Sequence, residues 1–248
     1  MKPLVVIPTY NERENIEILV RRLHQMDLGI EILIVDDNSP DGTGELVDSL
    51  CQQFREVHVI HRDKKAGIGP AYIAGFKWAL ARDYDVMIEM DADLSHRPRY
   101  LRVFLEQIQK YDMVFGSRWI RGGRISNWSW QRVLLSWLAN IYGAWVLGVS
   151  FRDLTGGFNC YRREVLENLH LDSIHSDGYS FQIEMKYKTY KNGFRVLEVP
   201  ITFTDRKAGT SKISKRIVWE ALFLVWKLRF SVRESAKKTT YETAVAAK

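Results

Sequence analysis

Short, nearly continuous apolar runs alternate with longer stretches of helical period along the first half of the chain. "PLVVIP", "IEILIVDD", "EVHVI", "DVMIEMD" and "DMVFGS" have the length and β-branched content of buried strands. Between them lie "ENIEILVRRLHQM", "GTGELVDSLCQQF", "GPAYIAGFKWALA" and "PRYLRVFLEQIQKY", whose apolar positions recur at three- and four-residue steps. Strands apolar on both faces need cover on both faces. The alternation therefore predicts an α/β fold, a mostly parallel sheet with helices on either side. Ligands of such sheets bind outside the carboxyl ends of the strands. The polar clusters fall there: "PTYNE", "DDNSPDG", "DADLSH" and "GSRW".

The second half is patterned differently. Val133 to Phe151 holds no charged residue, close to the length of a membrane span. Ser136, Asn140, Gly143, Gly148 and Ser150 interrupt it, which suits a helix packed on the protein or lying in a membrane interface. Trp128, Trp130, Trp137, Tyr142 and Trp145 are residues that favour that interface. "ISKRIVWEALFLVWKLRF", with Trp219, Phe223 and Trp226, is a second apolar stretch framed by Lys and Arg. Both read as amphipathic, membrane-facing helices, near 130–149 and 213–230. One domain is expected over 1–230, followed by a polar tail, 231–248, that should fray.

Charge sharpens the picture. The chain carries a formal +6, but from Asp205 onward there are eleven Lys/Arg against four Asp/Glu, a net of +7. A basic end suits anionic lipid headgroups or nucleic acid. Two distant cysteines, Cys51 and Cys160, fit a reducing compartment, and the first apolar run is short for a signal peptide, so a cytoplasmic protein is expected.

The chemistry gathers at the strand ends. In "DADLSH", Asp91 and Asp93 are alternate residues of an extended segment and can face one cation; hard carboxylate oxygens suit Mg²⁺ or Mn²⁺. The pattern also suits a solvated loop, with Ser95 capping the helix that follows. "VDDNSPDG" puts Asp36 and Asp37 at another strand end, where an acid can hold a ribose or a base edge. No glycine-rich phosphate loop follows either strand, which excludes the usual NAD and P-loop patterns and suggests a nucleotide-sugar donor. From Met113 to Arg152 there is no Asp or Glu, yet Arg118, Arg121, Arg124, Arg132 and Arg152 occur. Arg118 and Arg132 are the candidates for phosphate; Arg121 and Arg152 read as surface residues.

"VVIPTYNE", "VDDNSPDGT", "DADLSHRP", "GSRW", "DLTGGF", "GYSFQIEM" and "EVPITFTDRKAGTSK" follow one another in an order that resembles the family-2 glycosyltransferases of the GT-A (Rossmann-like) fold, over residues 1–230. Within them the resemblance is to the dolichol- or polyprenol-phosphate mannosyltransferases. It implies inverting transfer of mannose from GDP-mannose to a polyprenyl (dolichyl) phosphate, giving a β-linked product, with a divalent metal. Pro8, Tyr10, Glu12, Val35 and Asp37 would hold the guanosine end. Asp91, Ala92 and Asp93 would meet diphosphate and metal, and Arg206 and Lys212 would close over the diphosphate. Arg118 would lie near the donor phosphates and, with Arg132 and Ser136, meet the acceptor phosphate, and Asp91, Asp93 and Arg118 would carry the catalysis.

A lipid monophosphate is ionised near neutrality, with a second pKa of about 6. Its oxygen can attack the anomeric carbon unaided, so no dedicated base is expected and Glu89 is a bystander. His96 reads as a helix-start residue, Asp153 as support for the acceptor channel or part of a glycine-held turn, and Gln182 with Glu184 as helix residues near the sugar. The enzyme would sit on the cytoplasmic face of a membrane, held by its amphipathic stretches or an integral-membrane partner. The alternatives are a UDP-glucose or UDP-amino-sugar transferase to the same lipid class, and a non-enzymatic RNA- or lipid-binding adaptor. Unscreened acids in the central crevice oppose RNA there, and no nucleic-acid partner is expected.

Overall fold

The structure is a computed structural model that describes residues 1–204, 223–230 and 240–244. Five strands lie where the apolar runs predict them: β1 (Pro3–Thr9), β2 (Glu31–Asp36), β3 (Val57–His61), β4 (Val86–Glu89) and β5 (Met113–Ser117). The helices between them are α1 (Arg13–His24), α2 (Thr43–Gln53), α3 (Ile68–Leu80) and α4 (Tyr100–Gln107). After them come β6 (Arg124–Ser126), α5 (Trp130–Leu147), β7 (Asn159–Arg162), α6 (Arg163–Asn168), α7 (Gly178–Lys191), β8 (Val196–Pro200), β9 (Thr202–Thr204) and β10 (Tyr241–Thr243). Residues 223–230 are helical.

An eight-stranded sheet runs β10-β8-β5-β7-β4-β1-β2-β3, and β6 pairs with β9 alongside it. Alternate residues of each strand enter opposite layers. Leu4, Val6, Leu33 and Val35 join α3, α5 and α7 on one face. Val5, Ile7, Ile32 and Ile34 join α1, α2 and α4 on the other.

Two features position the site. β1 pairs with both β2 and β4, so the direction of strand addition reverses at β1 and a crevice opens beyond the carboxyl ends. β7 runs antiparallel between β4 and β5. Its first residue, Asn159, therefore enters at the edge where β4 and β5 end, and the preceding "DLTGGF" loop lies beside "DAD" and "GSRW". The loops after β1, β2 and β4 each contain a left-handed residue, Asn11 (φ 60), Asn38 (φ 57) and Leu94 (φ 63). Asn tolerates that conformation; Leu pays for it, which marks the Asp91–Ser95 turn as held by its surroundings.

The end of the chain departs from the sequence reading. Tyr241–Thr243, inside the tail expected to fray, pairs in parallel with β8 and extends the sheet. The tail's polar composition hid this, because an edge strand needs little apolar surface. Tyr241, half-buried, provides it, packing edge-on against Phe151.

Candidate active site

One cavity of about 300 Å³ joins the carboxylates to the arginines. Asp91, Asp93, Arg118 and Arg132 all line it, with His96, Trp128, Thr155, Gly156, Gly157, Tyr179 and Gln182. Its floor is set by the end of β4. The Asp91 amide N–H donates to His96 Nδ1 at 3.1 Å, and the His96 ring lies flat on Phe158, 4.8 Å between centroids. Nδ1 acts as acceptor, so Nε2 carries the proton, 3.8 Å from Asp91 Oδ2. His96 is thus buried against Asp91 rather than starting a helix. Asp93 Oδ1 accepts from the Ser95 amide at 3.0 Å and closes the turn. Ser95 does not cap α4, which starts at Tyr100 without a side-chain cap; its hydroxyl is buried and unpartnered.

Among the described residues no cluster of three or more His, Cys, Asp or Glu is arranged to hold a metal. Asp91 and Asp93 are a two-carboxylate set, and hard oxygens of that number fit a cation that completes its shell with water and phosphate. The opposite wall leaves room for such a group. A side chain begun at Gly157 would stand 3.9 Å from Asp91 Oδ1 and 3.4 Å from Gln182 Nε2, and glycine leaves that space open.

Arg118 follows β5 and is buried, 6% exposed. Its Nε and Nη2 donate to the two oxygens of Asp153, each at 2.7 Å, and Nη2 also reaches Thr155 Oγ1 at 2.8 Å. Burial alone would lower the Arg118 pKa, but the Asp153 carboxylate outweighs it and raises the net value. Burial would likewise raise Asp153; the Arg118 charge and hydrogen bonds, with Lys186 behind them, hold it below the carboxylate range. Lys186, fully buried, donates to the carbonyls of Asp153 and Gly156, both at 2.8 Å. Burial pushes its pKa down to about 8 against the pull of Asp153 and Glu198. Glu198 accepts from the backbone of Arg152 and Asp153 and from the Tyr241 hydroxyl. The "DLTGG" turn is thereby fastened from three sides.

Trp128 lies between the two candidate arginines, 3.9 Å from the Arg132 guanidinium and 5.4 Å from that of Arg118. It was expected at a membrane interface and instead forms a wall of the cavity. Stacking on an indole holds two like charges near one another and aims their planar groups. Ser136, one turn beyond Arg132 on α5, accepts at its carbonyl from Asn140 and does not line the cavity.

The donor residues divide. Pro8, Tyr10 and Glu12 follow one another at the end of β1, with Tyr10 exposed and the Lys65 ammonium 3.8 Å above its ring. Asp37 is buried, accepting from Arg62 at 2.7 Å and from the Ala66 amide at 3.0 Å. Asp36 is spent on Thr9 and Ser39. Val35 is fully buried, so its side chain supports the strand from within the core and is not offered to a ligand. Ala92 is also buried, in the layer opposite Val35. Arg206 and Lys212 lie outside the described residues.

Glu89 does not line the cavity. Burial pushes it up to about 7, opposed by the hydrogen bond from Asn159. Glu184 turns away, to Ser176 and Lys188. The buried lysine at position 186 was not anticipated. Its signal is the four-residue step from Gln182, which puts both on one helix face.

Apolar side chains cover the outer side of α5. Trp130, Leu134, Leu135, Trp137, Leu138, Ile141 and Trp145 are exposed, as are Phe223, Trp226 and Phe230. The helix buries only Asn140, Gly143, Val146 and Leu147. No described helix is long and apolar enough to cross a membrane. Of the second apolar stretch, residues 213–222, with Trp219, lie outside the described residues.

Comparison with known proteins adds to this geometry. The family model described as glycosyl transferase family 2 matches residues 4–170. The polyprenol monophosphomannose synthase of Mycolicibacterium smegmatis is 49% identical over 232 residues, covering 92% of this chain and 88% of that protein. The undecaprenyl-phosphate mannosyltransferase of Micrococcus luteus is 44% identical over 233 residues, covering 94% and 96%. Among solved structures, the mannosyltransferase PcManGT of Pyrobaculum calidifontis, in complex with GDP-Man and Mn²⁺, has a TM-score of 0.58 at 17% identity. That likeness is one of fold, over 92% of this chain and 60% of the other.

Proposed function

This chain belongs to glycosyl transferase family 2, and we infer from that membership and from its site that it transfers mannose from GDP-mannose to a polyprenyl phosphate. The observation that carries the reading is the cavity lined both by Asp91 and Asp93 and by Arg118 and Arg132, with Trp128 against the two guanidinium groups. One wall suits a diphosphate bound with a cation, the other a second phosphate, and a sugar exchanged between phosphates needs both.

Asp91 and Asp93 would hold the divalent cation, Mg²⁺ or Mn²⁺, whose charge would offset that of the departing nucleoside diphosphate. His96 fixes the backbone of Asp91. Pro8, Tyr10, Glu12 and Asp37 take the guanosine end, and Arg206 and Lys212 the diphosphate. Arg118 and Arg132 take the acceptor phosphate, already ionised near neutrality. No side chain need remove a proton. Asp153 is spent on Arg118 and Glu89 is sealed from the cavity, so neither acts as a base. The work of the protein is to bring two anions into line and to exclude water. Attack in line on the anomeric carbon inverts it and yields the β-linked product.

The test is purified protein with labelled GDP-mannose and a short polyprenyl phosphate, with and without Mg²⁺ or Mn²⁺. Label is expected in the lipid phase only with metal, and GDP is expected to inhibit far better than UDP. Inhibition by UDP instead would move the donor to a UDP-sugar; no lipid label from either donor would end the reading.

The exposed face of α5 and residues 223–230 supports docking on the cytoplasmic face of a membrane, where the acceptor resides. Trp145 and Phe223 are 73% and 71% exposed, so replacing them costs little in folding. Trp145→Ser with Phe223→Ser is expected to weaken sedimentation with anionic liposomes by roughly tenfold per residue. Unchanged sedimentation would transfer that face to an integral-membrane partner protein.

A further inference from the structure

Gln182 is the one amide side chain among the described residues that line the cavity, and its carbonyl end is held from below. It is 4% exposed. Its Oε1 accepts from Asn159 Nδ2 at 2.5 Å, and the same Nδ2 donates to Glu89 Oε2 at 2.8 Å. With the carbonyl end taken by Asn159, the amide nitrogen, which carries two N–H groups, lies on the Gly157 side, where Nε2 is 3.4 Å from the position a Gly157 side chain would take. Asp91 Oδ1 borders the same opening at 3.9 Å. Three elements are needed to build this donor: α7 carries Gln182, β7 carries Asn159 and β4 carries Glu89. A fixed, buried N–H beside the diphosphate carboxylates has little use for the nucleoside, whose residues follow β1 and β2.

We propose that Gln182 donates a hydrogen bond to a hydroxyl of the transferred hexose and so sets donor-sugar recognition, with Asn159 and Glu89 as the residues that position it. The proposal rests on the glycosyl-transfer reading and specifies its sugar subsite. A side chain locked in this way discriminates strongly, because a sugar that lacks the hydroxyl leaves a buried donor unpaired.

The experiment separates sugar from nucleotide. For Gln182→Ala, kcat/KM for GDP-mannose is expected to fall about 5- to 10-fold, the worth of one such hydrogen bond, while inhibition by GDP stays within about twofold of wild type. Asn159→Ala leaves Gln182 present but loose and is expected to move the same ratio by less. Thermal melts accompany both variants. An equal loss for GDP and GDP-mannose, or no loss for well-folded Gln182→Ala, overturns the proposal. Should the wild type transfer nothing from GDP-mannose, the mannosyl reading fails by itself. The comparison is then made with the nucleotide sugar the enzyme does use, against its own nucleoside diphosphate, and the same selective loss is required.

Discussion

Asp91→Asn and Asp93→Asn are each expected to lower mannosyl transfer by about two to three orders of magnitude while leaving the melting temperature near that of the wild type. The asymmetry follows from where the carboxylates are. Asp91 is about a quarter exposed and lies on the cavity wall. Their bonds to Tyr72 and to the Ser95 amide are ones an amide oxygen can still accept. What the asparagines lose is the negative charge that would hold a cation against a diphosphate. The check is initial rates over a metal titration, with a melting curve for each variant. More than about a tenth of wild-type activity at saturating metal would remove the two aspartates from the centre of the mechanism.

Asp153→Ala is expected to damage stability and activity together, by about 3–5 kcal/mol in the first case. Asp153 is fully buried, and it pairs Arg118 and neighbours Lys186. Removing it strands two cations inside the protein. The pH dependence has a definite sign. The folded-state pKa of Asp153 lies below its unfolded value, so its contribution is complete above an unfolded pKa of about 3.9 and is lost as pH falls through the lower folded value. Urea unfolding at neutral and acidic pH tests both parts: the gap between wild type and Asp153→Ala should narrow on acidification. A gap below about 1 kcal/mol at neutral pH would mean that water or a shifted Glu198 neutralises Arg118 and Lys186 instead.

How much of the site was legible depended on which forces act along the chain. Asp91 and Asp93 could be paired from spacing, since an extended backbone turns alternate residues the same way. Arg118 and Arg132 could be picked from a charge imbalance in a local segment. Trp128 was misassigned to a membrane interface because its chemistry is the same in either place. Only the fold, which brings Arg118 after β5 and Arg132 of α5 against the same ring, puts it between two guanidinium groups. His96 was read as a helix start for a similar reason: the turn at Leu94 folds the ring back onto Asp91. Val35 went to the core by the period of its strand, and Asp37 is engaged by Arg62, 25 residues away in sequence.

By itself, the sequence determined the α/β class, the first five strands with their four helices, and the strand-end edge at which the chemistry collects. Periodicity and strand polarity are local properties and follow from spacing alone. Tertiary structure decided the rest. It put β7 antiparallel between β4 and β5, brought "DLTGG" to Arg118, buried Lys186 beneath that turn, and drew Tyr241 from a polar tail to Glu198. Each of these depends on contacts between residues far apart in the chain, and burial of a charge or hydroxyl is stable only when such a partner arrives.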